Sequence, residues 1–165
     1  MASTVSSQQI SEYREKGVTV LKGVFSDWVD VLRKGVDANM ADPDPNARIY
    51  TGKDGGGRFF VDYCNWARIL EYKEFIFNSD AAAIGAELME SRQVQLFHEH
   101  VLVKEAATGV PTPWHQDAPY YCVDSAKTVS LWIPLDDVPR ETTPEFISGS
   151  HKWNKFYRPQ RFDGS

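Results

Sequence analysis

The chain has 165 residues, 42% of them hydrophobic and 25% charged, with a formal net charge of −5. That suits one globular domain with a real core and argues against a disordered or fibrous chain. The acidic balance and the absence of a basic run argue against nucleic acid as a partner, and no apolar stretch approaches a membrane span.

The first residues, Met1 to Ser7, have neither a basic n-region nor an apolar h-region. They read against a signal peptide and for a cytoplasmic chain. Cys64 and Cys122 show no metal-ligand spacing and read as buried free thiols in a reducing compartment.

Taken in chain order, Ser7 to Lys16 reads as a polar helix ended by Gly17, and Val18 to Leu21 as a short strand. Ser26 is placed to cap a helix through about Met40, with Trp28, Val31, Leu32 and Val36 at helical spacing. Residues 41–46 and 52–57 are rich in Asp, Pro and Gly and read as loops. Arg58 to Asp62 reads as a strand, and Trp66 to Phe77 and Ser79 to Ser91 as two more helices. Beyond Gln93 the pattern becomes extended. Gln93 to Lys104, Trp114 to Asp117, Lys127 to Leu135 and Glu145 to Ser148 read as strands between turns, and Arg161 to Ser165 as a loop. Helices first and strands after predict an α+β, mainly β fold, with the helices packed on an antiparallel sheet.

Strand alternation would put His115 and Asp117 on one face and Gln116 on the other. An imidazole and a carboxylate presented together can take adjacent positions on a divalent metal. With a second His they make the facial triad of non-haem Fe(II) oxygenases. A surface His and Asp on a polar strand fit the same tripeptide, and short motifs carry that false-positive risk.

Four longer stretches go further. They are His98-Glu-His-Val-Leu-Val-Lys104, Pro113-Trp-His-Gln-Asp-Ala-Pro-Tyr-Tyr121, Val129-Ser-Leu-Trp-Ile-Pro-Leu-Asp-Asp-Val138 and Phe146-Ile-Ser-Gly-Ser-His-Lys-Trp153. In order and spacing they resemble the phytanoyl-CoA dioxygenase family of Fe(II)/2-oxoglutarate enzymes, and the helix–strand–helix opening is similar too. The resemblance implies a double-stranded β-helix (a cupin-like jelly-roll) with N-terminal helices on one sheet. A single oxygenase domain over 1–165 is expected, with 1–91 its helical part and 92–165 the first strands of the barrel.

The resemblance also implies an activity. Fe(II), 2-oxoglutarate and O₂ would hydroxylate a small-molecule substrate at an unactivated C–H, with release of succinate and CO₂. His115 and Asp117 would be the first two iron ligands. A carboxylate at 117 points to hydroxylation, since related halogenases carry Ala or Gly there. Trp132 matches a tryptophan near 2-oxoglutarate, and its strand would place Thr128, Ser130 and Trp132 on one face and Val129, Leu131 and Ile133 on the other. Lys104 and His98, on one face of the preceding strand, are candidates to reach cosubstrate or substrate. Arg58 is a candidate carboxylate contact.

The chain departs from the family in one respect. The third ligand is a second His about 80–100 residues beyond the Asp, a span of several strands, and the cosubstrate-binding Arg lies about ten residues further. Ser165 comes well before that distance. His151 falls in a segment that is a turn in the family and is not expected to be a ligand. The C-terminal part of the barrel is thus expected to be absent from this chain, and the remaining half of the protein is an expected partner as a separate chain. Two alternatives stay open. One is a catalytically inactive or regulatory jelly-roll fragment. The other is a cupin-type metal protein using His98 and His100 with Glu105, a weaker match because the motif's leading Gly is replaced by Arg92.

Overall fold

The computed structural model describes residues 4–51, 56–109, 111–123, 125 and 127–159. The chain forms two compact units, each built from separated stretches. The first comprises Met1–Arg33, Glu74–Leu96 and Ser125–Asn154; the second comprises Lys34–Lys73, Phe97–Asp124 and Lys155–Ser165. The regular elements are α1 (Ser7–Lys16), α2 (Val29–Ala41), β1 (Arg48–Thr51), β2 (Arg58–Tyr63), α3 (Leu70–Asn78), α4 (Ala81–Leu88) and β3 (His100–Lys104). Among the described residues, the architecture is a mixture of helices and one three-stranded antiparallel sheet of order β1-β2-β3. Among the described residues, no helix is long and apolar enough to cross a membrane.

In the first unit, α1 matches its sequence signals. Ser6 and Gln9 form a reciprocal capping box, and Gly17 ends the helix in the left-handed conformation at φ +84°. The exposed carbonyls at that end find donors far along the chain. The Gly149 N–H donates to the Lys16 carbonyl at 2.8 Å, and His151 Nε2 lies 3.1 Å from the Arg14 carbonyl. His151 is therefore a helix-end contact, as a turn residue would be. The core here is Val5, Ile84 and Leu88, with Tyr13, Phe25, Val129 and Leu131 packed against it. Burial does alternate along 128–133: Val129, Leu131 and Ile133 are half-buried, and Thr128, Ser130 and Trp132 are exposed.

The second unit holds the sheet and a buried polar network. Asp62 on β2 is 1% exposed. It accepts from Asn39 Nδ2 at 2.8 Å, from the Asp44 N–H at 3.0 Å and from the Tyr63 N–H at 2.8 Å. The Tyr72 hydroxyl donates to Asn39 Oδ1 at 3.4 Å. These bonds tie α2, the loop after it, β2 and α3 together. Gly35 lies in the same helix face as Leu32 and Asn39. A Cβ there would meet Tyr72 Cε1 at 2.6 Å, and Tyr72 is buried and held at its hydroxyl. Overpacking costs about 1–3 kcal/mol, while Ala gains about 1 kcal/mol over Gly in helix propensity. Gly35→Ala is therefore expected to destabilise the protein by up to about 2 kcal/mol, read from urea unfolding.

Several expected elements differ. Val18 to Leu21, Trp114 to Asp117, Lys127 to Leu135 and Glu145 to Ser148 form no strand, and the extended run from Gln93 is a strand only over His100–Lys104. A strand needs a neighbour to accept and donate along its ladder, and Pro111, Pro113 and Pro134 lack the N–H such a ladder uses. Of the two helices expected after Trp66, the first starts later, at Leu70, and runs one residue past Phe77, and the second is shorter at both ends. β1, a strand the sequence reading does not anticipate, pairs with β2 in the register Thr51↔Arg58. Cys64 and Cys122 are free thiols, but exposed rather than buried. Of the expected loops, residues 52–55 and 160–165 lie outside the described residues.

Candidate metal centre

Every residue of the site described below belongs to the second unit. β3 pairs with β2 so that Tyr63 faces His100, Asp62 faces Val101 and Phe59 faces Lys104. Along β3, Val101 is buried and Val103 half-buried, while His100, Leu102 and Lys104 look the other way.

The expected pair does converge. His115 Nε2 lies 3.2 Å from Asp117 Oδ1, with the side chains 30% and 52% exposed. The route differs from strand alternation: Asp117 has helical dihedrals (φ −70°, ψ −44°) and opens the short 3-10 turn Ala118–Tyr120. His115 Nδ1 lies 2.8 Å from the Pro113 carbonyl. A carbonyl can only accept, so this bond puts the imidazole proton on Nδ1 and leaves the Nε2 lone pair facing Asp117. Two lone-pair atoms at 3.2 Å repel unless a cation, a proton or a metal ion, lies between them. The donor set therefore fits a divalent metal, with the Nδ1–carbonyl bond in the orienting role typical of metal-bound imidazoles. The Tyr121 hydroxyl makes a long hydrogen bond of 3.4 Å to Asp117 Oδ2, and the Tyr120 ring stands edge-on to His115 at 6.1 Å between centroids.

Tyr121 links this pair to a second group of rings. It packs against Phe97 at 5.1 Å and His98 at 6.2 Å, and His98 and His100 are 6.2 Å apart, with Tyr63 beside both. His100 keeps part of its surface in solvent, yet protein crowds the ring. That desolvation, with His98 beside it, pushes its acid strength up and its pKa below the usual imidazole value, while Asp117 and Asp62 pull the other way. Among the described residues, no group of three or more His, Cys, Asp or Glu is placed to hold a metal.

The other expected site residues are placed as follows. Arg58 has a carboxylate partner within the chain: its Nε and Nη2 donate to Glu105 Oε1 at 2.9 and 2.5 Å, and its N–H donates to Glu105 Oε2 at 2.9 Å. This one pairing engages both Arg58 as a cosubstrate contact and Glu105 as a companion of His98 and His100. The Arg58 guanidinium also holds the Glu105 carboxyl below the usual range. Lys104 donates to Thr112 Oγ1 at 3.0 Å and lies 4.8 Å over the Phe59 ring. His98 precedes β3 and so does not share its ladder. Trp132 belongs to the first unit, where it is 49% exposed.

Sequence reasoning missed the buried polar residues behind β3. Glu99, between the two histidines, accepts the Asn65 N–H, and its Oε2 is buried with no hydrogen-bond partner among the described residues. Burial pushes the Tyr72 phenol up, with Glu99 and Asp62 adding to the shift. The available signal was an acid in a core position: Asp62 ends the run Phe59-Phe60-Val61-Asp62 and is two residues from Phe60.

The model of the phytanoyl-CoA dioxygenase (PhyH) family matches residues 13–165, nearly the whole chain. The chain belongs to the phytanoyl-CoA dioxygenase family. No curated protein and no solved structure matches it. Phytanoyl-CoA dioxygenase family members are in general oxygenases, and iron and 2-oxoglutarate are expectations at the level of the family. The sheet and helices are compatible with part of such a fold.

Proposed function

We propose that the chain is an Fe(II)- and 2-oxoglutarate-dependent dioxygenase that hydroxylates a small-molecule substrate at an unactivated C–H, releasing succinate and CO₂. The observation that carries this reading is the His115–Asp117 pair. Its Nε2 and Oδ1 face each other at 3.2 Å, with Nδ1 occupied by the Pro113 carbonyl. His115 Nε2 and the Asp117 carboxylate would hold the iron. When bound, the iron supplies the centre at which O₂ is activated at the expense of 2-oxoglutarate.

The chain's own residues do the rest. The Pro113 carbonyl sets the imidazole tautomer and ring direction. The Tyr121 hydroxyl, donating to Oδ2, leaves Oδ1 turned to His115. Phe97, Tyr120 and Tyr121 offer an apolar, aromatic edge against which a substrate would be ordered. Lys104 and His98 remain proposed contacts for cosubstrate or substrate. The jelly-roll, with a second histidine as a further ligand, completes this proposal.

The test is succinate release from purified protein supplied with Fe(II), 2-oxoglutarate and O₂ across a panel of acyl thioesters, amino-acid derivatives and natural products. At least one compound should raise succinate above the substrate-free rate. Protein that binds Fe(II) yet gives no succinate with any of them would favour the inactive or regulatory reading, which has in its favour that only two donors converge among the described residues.

A further inference from the structure

Gln116 lies between the two proposed ligands, yet takes part in neither contact of the pair. From Pro111 to Ala118, every residue is exposed except Gln116, which is half-buried. Its carboxamide reaches a stretch almost 40 residues away along the chain. Nε2 donates to the Lys155 carbonyl at 2.9 Å, and Oε1 accepts the Tyr157 N–H at 3.0 Å.

The geometry of that grip is specific. A C=O at one residue and an N–H two residues on emerge from the same side of an extended chain, and a neighbouring strand's peptide pairs with just such a couple. Gln116 supplies the same donor and acceptor from a side chain and stands in for a strand that 112–116 does not form. With carboxyls ionised and acceptor-only, a carboxamide is the side-chain group that carries both at this spacing. A reversed amide would set N–H against N–H and oxygen against oxygen, so the two bonds fix its orientation. Just before the gripped residues, Asn154 turns the backbone through φ +52°, a conformation asparagine tolerates better than most residues.

We infer that Gln116 is a positioning residue, whose amide clamps the backbone of 155–157 and thereby holds His115 and Asp117 in their converging arrangement. This rests on the metal reading above. Two ligands flanking one residue move with that residue's backbone, so the grip on Gln116 bears on both. Ordering of 155–157 and occupation of the pair by a divalent ion are then coupled, and the coupling acts in both directions.

The experiment uses Mn(II) as the probe on the full chain and two variants. Gln116→Ala removes the side chain; Gln116→Met keeps its length without the amide, which separates hydrogen bonding from packing. Both should lose protection of the Tyr157 amide against hydrogen exchange, and both should bind Mn(II) about tenfold more weakly, the lower end of what supporting contacts contribute. In the wild type, saturating Mn(II) should slow Tyr157 exchange by a similar factor, about tenfold, a response that a purely structural clamp does not give. Unchanged circular dichroism guards against misfolding. Variants that bind Mn(II) as tightly as the wild type, or Tyr157 exchange indifferent to the variants or to Mn(II), would overturn the positioning role and leave the metal reading standing. A wild-type chain that binds no Mn(II) would overturn the metal reading and the coupling together, even with Tyr157 protection still dependent on Gln116.

Discussion

Asp117→Ala is expected to abolish substrate-coupled succinate formation while leaving the metal-free fold almost untouched. The two effects separate because the residue is half in solvent. Its side chain is 52% exposed and faces His115 and the Tyr121 hydroxyl. An exposed pair of this kind contributes about 0–1 kcal/mol to folding. As one of two convergent donors it contributes far more to metal binding, since even contacts that only orient a ligand change affinity by about 10–100-fold. Thermal unfolding reads both at once. The wild type at a hundredfold excess of Fe(II) over Kd gains about 2.7 kcal/mol from binding alone. The variant should lose that gain and keep its metal-free midpoint within a few degrees, as about 1 kcal/mol allows. Full activity in the variant would mean that Asp117 is not a ligand.

The largest effect on stability is expected at Asp62. Replacing it by alanine removes the acceptor for Asn39 Nδ2, the Asp44 N–H and the Tyr63 N–H in a site that is 1% exposed. Each buried donor left without a partner costs about 1–3 kcal/mol, so a loss of about 3–5 kcal/mol is expected, a size reserved for broken buried networks. The same group makes stability depend on pH. Burial alone would raise its carboxyl, but hydrogen bonds from the Asp44 N–H, Asn39, Asn65 and the Tyr63 N–H outweigh burial and hold it below the ordinary value. A lowered folded-state pKa gives stability that is fully present above the unfolded value of about 3.9 and lost as pH falls through the folded one. Urea unfolding at pH 7 and in stepped acid should show that loss in the wild type and a flatter profile in Asp62→Ala. Equal acid slopes in both would place the acid-sensitive group elsewhere.

These two carboxylates mark where the sequence was legible. Local signals held well. The glycine stop at Gly17 and the helical spacing of Trp28, Val31, Leu32 and Val36 act within a few residues, and α1 spans Ser7–Lys16 as expected. His115 and Asp117 were found through a local motif. They come together even though their segment is no strand, because a tripeptide keeps its ends close in either geometry. Of the signals that depend on a distant partner, the strand from Arg58 survived and that from Gln93 survived in part, while the others did not. The Val-Ser-Leu-Trp-Ile run keeps its alternating burial yet has no ladder. Arg58 meets Glu105 because β2 and β3 pair in one particular register, and a register is set by the hydrophobic pattern of both strands, not by Arg58's neighbours in sequence. Asn39, Asp62 and Asn65 are polar residues that composition assigns to solvent, and only the fold shows that each satisfies another inside the second unit.

Mn(II) binding followed by electron paramagnetic resonance tests the central claim most directly, with three proteins beside the wild type: His115→Ala, Asp117→Ala and the double variant His98→Ala/His100→Ala. The free-ion signal should fall on adding wild-type protein and should fall as far with the double variant, while His115→Ala and Asp117→Ala leave it near its protein-free height. The opposite pattern, with binding kept in both single variants and lost in His98→Ala/His100→Ala, would contradict the account and move the metal to the histidines before β3.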